Sequence, residues 1–335
     1  RPCTEKTETL STVSTDEVAK LIGKMASKNS PVDCLPVSLL RQTTNVMAPL
    51  LTRLANLSFS SGVFPSSYKL GHVTPLIKKP GLNRTDPANY RPISNLSNFS
   101  KLLERLALAR LQPMVLGSRN FCPLQSAYRS GHSTETALLK LVNDIKRAAG
   151  DGKCTALLAL DISAAFDSIC FDTLRRRARD DFGLSGAALD WLMSFVSGRS
   201  QYVAVGEERS QPSPCTTGVP QGSVLGPLLY AMYVSPIGDV VTGHGMSYHL
   251  YADDLQVYTA IRTDQLTDLS TLESCTADVA RWFLENALLL NPTKTEAVLF
   301  GTRQRLRAVD GGRGVSACWC SCVVRRLFEA SRSDP

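Results

Sequence analysis

The tetrapeptide Tyr-Ala-Asp-Asp at 251–254 sets two carboxylates side by side in the middle of MSYHLYADDLQVYTA. That aromatic, β-branched stretch reads as two short strands meeting at a turn. An aspartate pair in a turn is by itself more often a solvated loop than a ligand set. A third acid, Asp161, ends CTALLALDIS, a nearly continuous apolar run of the kind that forms a strand buried on both faces. A carboxylate at the end of such a strand is costly without a partner. If Asp161, Asp253 and Asp254 converge from adjacent strands, their mutual repulsion calls for cations. Hard oxygen donors favour Mg²⁺, with Mn²⁺ as the alternative, and Mg²⁺ binds through one or two carboxylates and completes its shell with water and phosphate. Two such ions activate an attacking hydroxyl and stabilise the leaving oxygen of an in-line phosphoryl displacement. That is the chemistry of nucleotide transfer. Spacing alone leaves three unrelated surface acids as the alternative.

The elements that must position these acids are legible from patterning. Ser14 or Thr15 caps a first helix through DEVAKLIGKM, with Leu21 and Met25 on its apolar face, and a second amphipathic segment follows near VSLLRQTTNVMAPLLTRLANLSF. HVTPLIKK reads as a strand, PGLNRTDPANY as turns and YRPISNL as extended chain. The helix KLLERLALARLQPMV buries Leu102, Leu106 and Ala109 and carries Pro113 near its end. QGSVLGPLLYAMYVSPIG suits a helix, and the segment after the hairpin sets Leu269, Leu272, Val279, Phe283 and Leu290 at helical spacing before a final strand TEAVLFG. No repeat or low-complexity tract interrupts the chain.

Composition is that of a globular protein able to bury a sizeable core: 335 residues, 43% hydrophobic and 20% charged. No apolar run is long enough to span a bilayer, and RPCTEKTETL is too polar for a signal peptide, so an intracellular protein is expected. Position 1 is Arg, as in a piece of a longer chain. The ten cysteines lack framework spacing, which suits reduced thiols. The net charge of +7 suggests an anionic partner, yet seven arginines against three acids follow residue 302, leaving the body with about +3. Nucleic-acid contact therefore falls to local patches. Candidates are Lys78, Lys79 and Arg84, and the run Arg175, Arg176 and Arg177, although taken alone the stretch to Arg179 reads as a solvated helix face.

Six segments in order, LIKKPGLNRTDPANYRPISNLSNFSKLLERL, LQSAYRSGHSTETALL, LLALDISAAFD, GVPQGSVLGPLLY, YADD and LLLNPTKTEAVLFG, resemble the successive blocks of a reverse transcriptase. In wording they are similar to the non-LTR (LINE-type) retrotransposons, particularly the jockey and chicken-repeat branch. The resemblance covers roughly residues 10–301. It implies an α+β right-hand polymerase core with an antiparallel palm sheet backed by helices, with fingers over 61–150 and a palm over 151–301; the residues themselves suggest a helical extension over 1–60, and a divergent, disordered basic tail is expected over 302–335, where the resemblance ends. It further implies RNA-directed DNA synthesis from dNTPs on an RNA template and DNA primer, in cytoplasm and nucleus.

Carried over by position, Asp161 and Asp253 match the two metal ligands and Asp254 the supporting carboxylate, with the Ile162 carbonyl completing one shell. Phe166 matches the steric gate that packs under the sugar and excludes a 2′-hydroxyl. Gln221 and Gly222 match the loop lining the nucleotide pocket, where glycine lets backbone approach substrate. Lys78 and Arg91 match the cations that hold the triphosphate. Lys294 matches a candidate general acid for pyrophosphate release. Tyr251 is expected beneath the hairpin, and Arg129 and Ser133 resemble template contacts.

After Gly301 the family's primer-gripping strand and helical thumb are not legible, so a missing or degenerate thumb is expected. Cys318, Cys320 and Cys322 are spaced too closely for a usual zinc module, and no His follows. A folded remnant that only binds nucleic acid is the alternative function. A nuclease or cyclase on a similar palm is a third, opposed by the PQG loop, the aromatic gate and the SGHST segment.

Overall fold

A strand buried on both faces needs neighbours on each edge and a layer on each side, and the apolar run ending at Asp161 has both. In a computed structural model the described residues are 6–262, 267–291 and 294–310. In chain order the elements begin with α1 (Thr15–Lys24), α2 (Val37–Gln42), α3 (Thr44–Ser61), β1 (Leu70–Ile77), β2 (Tyr90–Asn95), α4 (Asn98–Gly117) and α5 (Thr134–Gly150). There follow β3 (Cys154–Leu160), β4 (Ile162–Ser163), α6 (Phe171–Arg176), α7 (Gly186–Val196), β5 (Arg199–Val205), β6 (Glu208–Arg209), β7 (Ser213–Cys215), α8 (Gly226–Val234) and α9 (Ile237–Gly243). The last are β8 (Ser247–Tyr251), β9 (Asp254–Ile261), α10 (Thr267–Glu285), β10 (Leu289–Leu290), β11 (Glu296–Phe300) and α11 (Arg303–Asp310). They form two compact units that interleave along the chain, Arg1–Asn120 with Phe166–Tyr233, and Phe121–Ala165 with Val234–Pro335.

The first unit is built on a sheet in the order β2-β1-β5-β6, with β7 also on β5. β1 pairs antiparallel with β2 and parallel with β5. Its core is aromatic. Trp191 on α7 meets Phe59 and Phe64 edge-on and stacks with Phe195, and its indole N–H donates to Ser58 Oγ at 2.8 Å. Ser14 caps α1 as its position suggests, accepting from the Glu17 N–H; Met25 is buried as expected, Val18 and Ile22 are buried with it, and Leu21 is only half-buried. In α4, Leu102 and Leu106 are buried while Ala109 is exposed, and the helix continues past Pro113 to Gly117.

The second unit holds the antiparallel sheet β11-β3-β9-β8. α5 covers one face, packing Leu141 and Ile145 against Leu157, Ala159, Tyr258 and Phe300. α10 packs against β9 and α9 against β8, so β3 is buried at every position but the half-buried Ala159. The helix expected to carry Leu290 stops at Glu285. Ala287 turns left-handed at φ 56°, and Leu289 and Leu290 form β10, paired with β4. Leu269 contributes nothing that can be described, and Cys318, Cys320 and Cys322 lie outside the described residues, as does all of 311–335. The basic segment is helical where it begins, over Arg303–Asp310. No helix among the described residues is long and apolar enough to cross a membrane.

Candidate active site

β3 and β9 are registered from Cys154–Ile261 to Leu160–Leu255, and one step further the register brings Asp161 opposite Asp254. Both line an open cleft of about 430 Å³ in the second unit together with Leu160, Leu255 and Lys294. Like charges facing across a strand pair repel. Asp254 accordingly holds its proton above the usual carboxylate range, through partial removal from water and then through the Asp253 and Asp161 charges, with Lys294 opposing. The Lys294 ammonium sits 3.0 Å from Asp161 Oδ2. This places the expected general acid directly on an expected metal ligand.

Asp253 occupies the turn itself. Tyr251 pairs with Asp254, leaving the two-residue loop Ala252-Asp253, with Ala252 at φ 56°. Such a tight hairpin needs a positive φ at a central residue, which costs an alanine about 1–2 kcal/mol. Tyr251 is half-buried beside it, and Tyr128, also left-handed at φ 62°, is close enough for the Asp253 and Tyr251 charges to help raise its phenol's pKa after burial. Ile162 lies in β4 opposite Leu290, and the Asn291 N–H donates to the Asp161 carbonyl at 2.8 Å.

Among the described residues no three acidic, imidazole or thiol groups are gathered closely enough to hold a metal ion between them. The oxygen donors present are two facing carboxylates and a third in the adjoining turn, with an ammonium seated against one of them. That set fits a hard cation that takes one or two protein carboxylates and leaves the rest of its shell to water and phosphate.

The residues expected around the nucleotide all lie in the first unit. Phe166 is tilted against Tyr230 with ring centroids 5.1 Å apart. Its carbonyl accepts from the Val219 N–H at 2.8 Å, and the Gln221 amide donates to Asp167 Oδ2 at 2.8 Å. The GVPQG loop is thus stitched to the segment that follows Phe166. Gly222, at φ 117°, does make a close backbone approach, but to protein: a Cβ there would lie 2.7 Å from the Ser94 carbonyl on β2. Arg91 stands opposite Leu76 and is exposed. Lys78 is exposed directly after β1, and its ammonium donates to the Ala88 carbonyl at 2.7 Å.

Two other expectations shift. Arg129 and Ser133 are committed to local structure: the Arg129 guanidinium lies over Phe121 and donates to the Pro123 and Gln125 carbonyls, and Ser133 caps α5 in a reciprocal box with Thr136. The basic run from Arg175 is not uniformly solvated, because Arg177 is buried and paired with Asp181 at 3.2 Å while Arg175 and Arg176 are exposed. Lys79 and Arg84 are exposed as expected.

Sequence inspection missed Asp167, Glu104 and Gln125. Asp167 adjoins Phe166 in AAFD and could have been flagged there. Glu104, fully buried, accepts from the Val224 and Leu225 N–H groups at the start of α8, and from Ser100 Oγ. It stands on α4 as one acid among basic and apolar neighbours, with no sign of its distant partners.

Residues 77–321 match a family model described as reverse transcriptase (RNA-dependent DNA polymerase). The chain is 30% identical over 291 residues to the probable RNA-directed DNA polymerase from transposon BS of Drosophila melanogaster, across 84% of this chain and 31% of that protein. It is also 30% identical over 301 residues to the RNA-directed DNA polymerase from mobile element jockey of the same fly, across 88% and 32%. It spans about a third of the length of these relatives. Among solved structures, apo telomerase from Candida tropicalis, truncated from its C-terminal domain, superposes with a TM-score of 0.50 at 13% identity, over 71% of this chain and 51% of that one. At that identity the likeness is one of fold, and it agrees with the α+β architecture. The jockey-type kinship suggested by the six blocks is borne out by the relatives. With carboxylates facing across adjacent palm-like strands and matching sequence over most of its length, the chain belongs to the reverse transcriptase family.

Proposed function

We propose that the chain is the nucleotide-adding part of an RNA-directed DNA polymerase of a non-LTR retrotransposon, joining a primer 3′-hydroxyl to the α-phosphate of a template-paired dNTP with loss of pyrophosphate. The observation that carries this is the facing of Asp161 and Asp254 at the ends of β3 and β9, with Asp253 next in the turn. Two Mg²⁺ ions held by Asp161, Asp253 and Asp254, or Mn²⁺ in their place, would supply activation of the hydroxyl and neutralisation of the leaving charge. Lys294 holds the charge of the acids in check and is assigned the proton given to pyrophosphate.

Arg91 and Lys78 are assigned to the triphosphate, a task suited to an exposed guanidinium on β2 and an exposed ammonium just after β1. Phe166, backed by Tyr230, is assigned the sugar edge, and Gln221 and Gly222 the pocket wall. The template role expected of Arg129 and Ser133 loses support, since both already have local partners. Fingers within 61–150 and palm within 151–301 remain the functional lobes in this proposal. RNA template, DNA primer and dNTPs are the partners, in cytoplasm and nucleus as suits a retroelement protein.

The test is primer extension on an RNA template with dNTPs and Mg²⁺. Extension by folded wild type is expected, and its absence refutes the assignment. Phe166→Val is expected to incorporate ribonucleotides at least about tenfold better relative to dNTPs, as removal of a steric gate requires. Unchanged discrimination removes that role from Phe166.

A further inference from the structure

β8 is the edge strand of the second unit's sheet, and its free edge is covered by the segment 124–126: the Leu250 N–H donates to the Leu124 carbonyl, and the Ser126 N–H to the Leu250 carbonyl, both at 3.0 Å. This short parallel ladder runs out at the turn, where Ala252 presents its own N–H and C=O. The side chain of Gln125 continues it. Its Oε1 accepts from the Ala252 N–H at 3.0 Å, and its Nε2 donates to the Ala252 carbonyl at 3.1 Å. Oε1 also accepts from the Ala127 N–H at 3.1 Å. With two N–H groups on one side and a carbonyl on the other, the amide can be oriented in only one way. The group is 1% exposed, so these contacts are not shared with water.

The carboxamide therefore acts as a detached peptide unit that pairs with both polar groups of the one left-handed residue in the turn, the residue immediately before Asp253. Glutamate lacks the donor, asparagine the reach and methionine both polar contacts. The segment bearing Gln125 is itself secured by Arg129, which donates to the Pro123 and Gln125 carbonyls at 3.0 Å and lies over Phe121.

We infer that Gln125 is a positioning residue, which sets the backbone of the Ala252-Asp253 turn and thereby the geometry in which Asp253 and Asp254 meet a divalent cation. This rests on the polymerase assignment, because it gives the acids a metal to hold. Removing partners that orient metal ligands costs about 10–100-fold in metal affinity or activity. For Gln125→Met, which keeps side-chain length and loses every hydrogen bond, a fall of that size is expected in Mn²⁺ affinity measured by calorimetry on the full chain. The Mg²⁺ concentration for half-maximal extension should rise in parallel, with the dNTP KM within about twofold of wild type.

Gln125→Glu supplies the decisive sign and guards against a Met variant that does not fold. It keeps the two accepted bonds but sets a carboxylate oxygen against the Ala252 carbonyl. Positioning predicts weaker Mn²⁺ binding although a negative charge has been added; equal or tighter binding overturns the inference. Asp161→Asn identifies the site. If wild type binds Mn²⁺ in a manner lost in Asp161→Asn yet extends no primer, the polymerase assignment fails and the Gln125 comparison still decides the inference. If wild type binds no Mn²⁺ at the acids, both fall.

Discussion

At the scale of single residues, the site's charge balance is its most informative property. Asp161 faces Asp254 across two strands, and the Lys294 ammonium 3.0 Å from Asp161 relieves that repulsion. Lys294 is largely exposed, and exposed ion pairs contribute about 0–1 kcal/mol. Lys294→Ala should therefore change stability little. It should also lower the Mg²⁺ concentration for half-maximal extension by up to about fivefold, because a competing cation has gone. A lower maximal rate in the same variant would support its assignment as proton donor; an unchanged Mg²⁺ requirement would show that the ion pair does not compete with metal. Asp161, Asp253, Asp254 and Lys294 were all legible from residue type and block order. Gln125 and Glu104 were not, because the contacts that tie each to a distant segment lie more than 100 positions away and nothing local marks a buried amide or carboxylate.

At the scale of elements, one feature of each unit has measurable consequences. Gly222 is fixed by its own backbone and by the Ser94 carbonyl, so Gly222→Ala combines left-handed strain with a 2.7 Å contact against backbone that cannot turn aside. A loss of about 1–3 kcal/mol in denaturant unfolding is expected; a neutral substitution would mean that the loop relaxes freely away from β2. His249 on β8 is buried, and neither ring nitrogen has a hydrogen-bond partner among the described residues. Burial first, then the Lys140 and His132 charges, lower its pKa from the ordinary 6.5. The folded state then binds fewer protons than the unfolded state below that value. The stability His249 allows is complete above 6.5 and is lost as pH falls toward and through its depressed folded pKa. The unfolding midpoint of the wild type should fall between pH 7 and pH 5, and His249→Phe should flatten that fall; an equally steep fall would exclude His249 as its source. Strand β3 was readable as an unbroken apolar run, and the hairpin and β11 as short apolar stretches bounded by turn residues. Leu289 and Leu290 were read into the preceding helix because two leucines satisfy a helical stripe as well as a strand, and only the left-handed Ala287 separates them.

At the scale of the whole molecule, the division of labour does not follow chain order. The cations, gate and loop assigned to the nucleotide belong to one compact unit and the three acids to the other, although Asp161 and Phe166 are only five positions apart. Block order revealed the family because each block is a contiguous run readable in the chain, whereas the interleaving of units depends on contacts that no local pattern records. The central claim is that Asp253 and its neighbours support RNA-directed nucleotide addition rather than a solvated turn. Its most direct measurement compares wild type with Asp253→Asn, matched in unfolding midpoint, in single-nucleotide dNTP incorporation on an RNA template with Mg²⁺. Wild type should extend the primer and the variant should lose at least about a thousandfold in rate, the scale expected when a group central to transition-state charge is removed. Equal rates in the two folded proteins would contradict the claim.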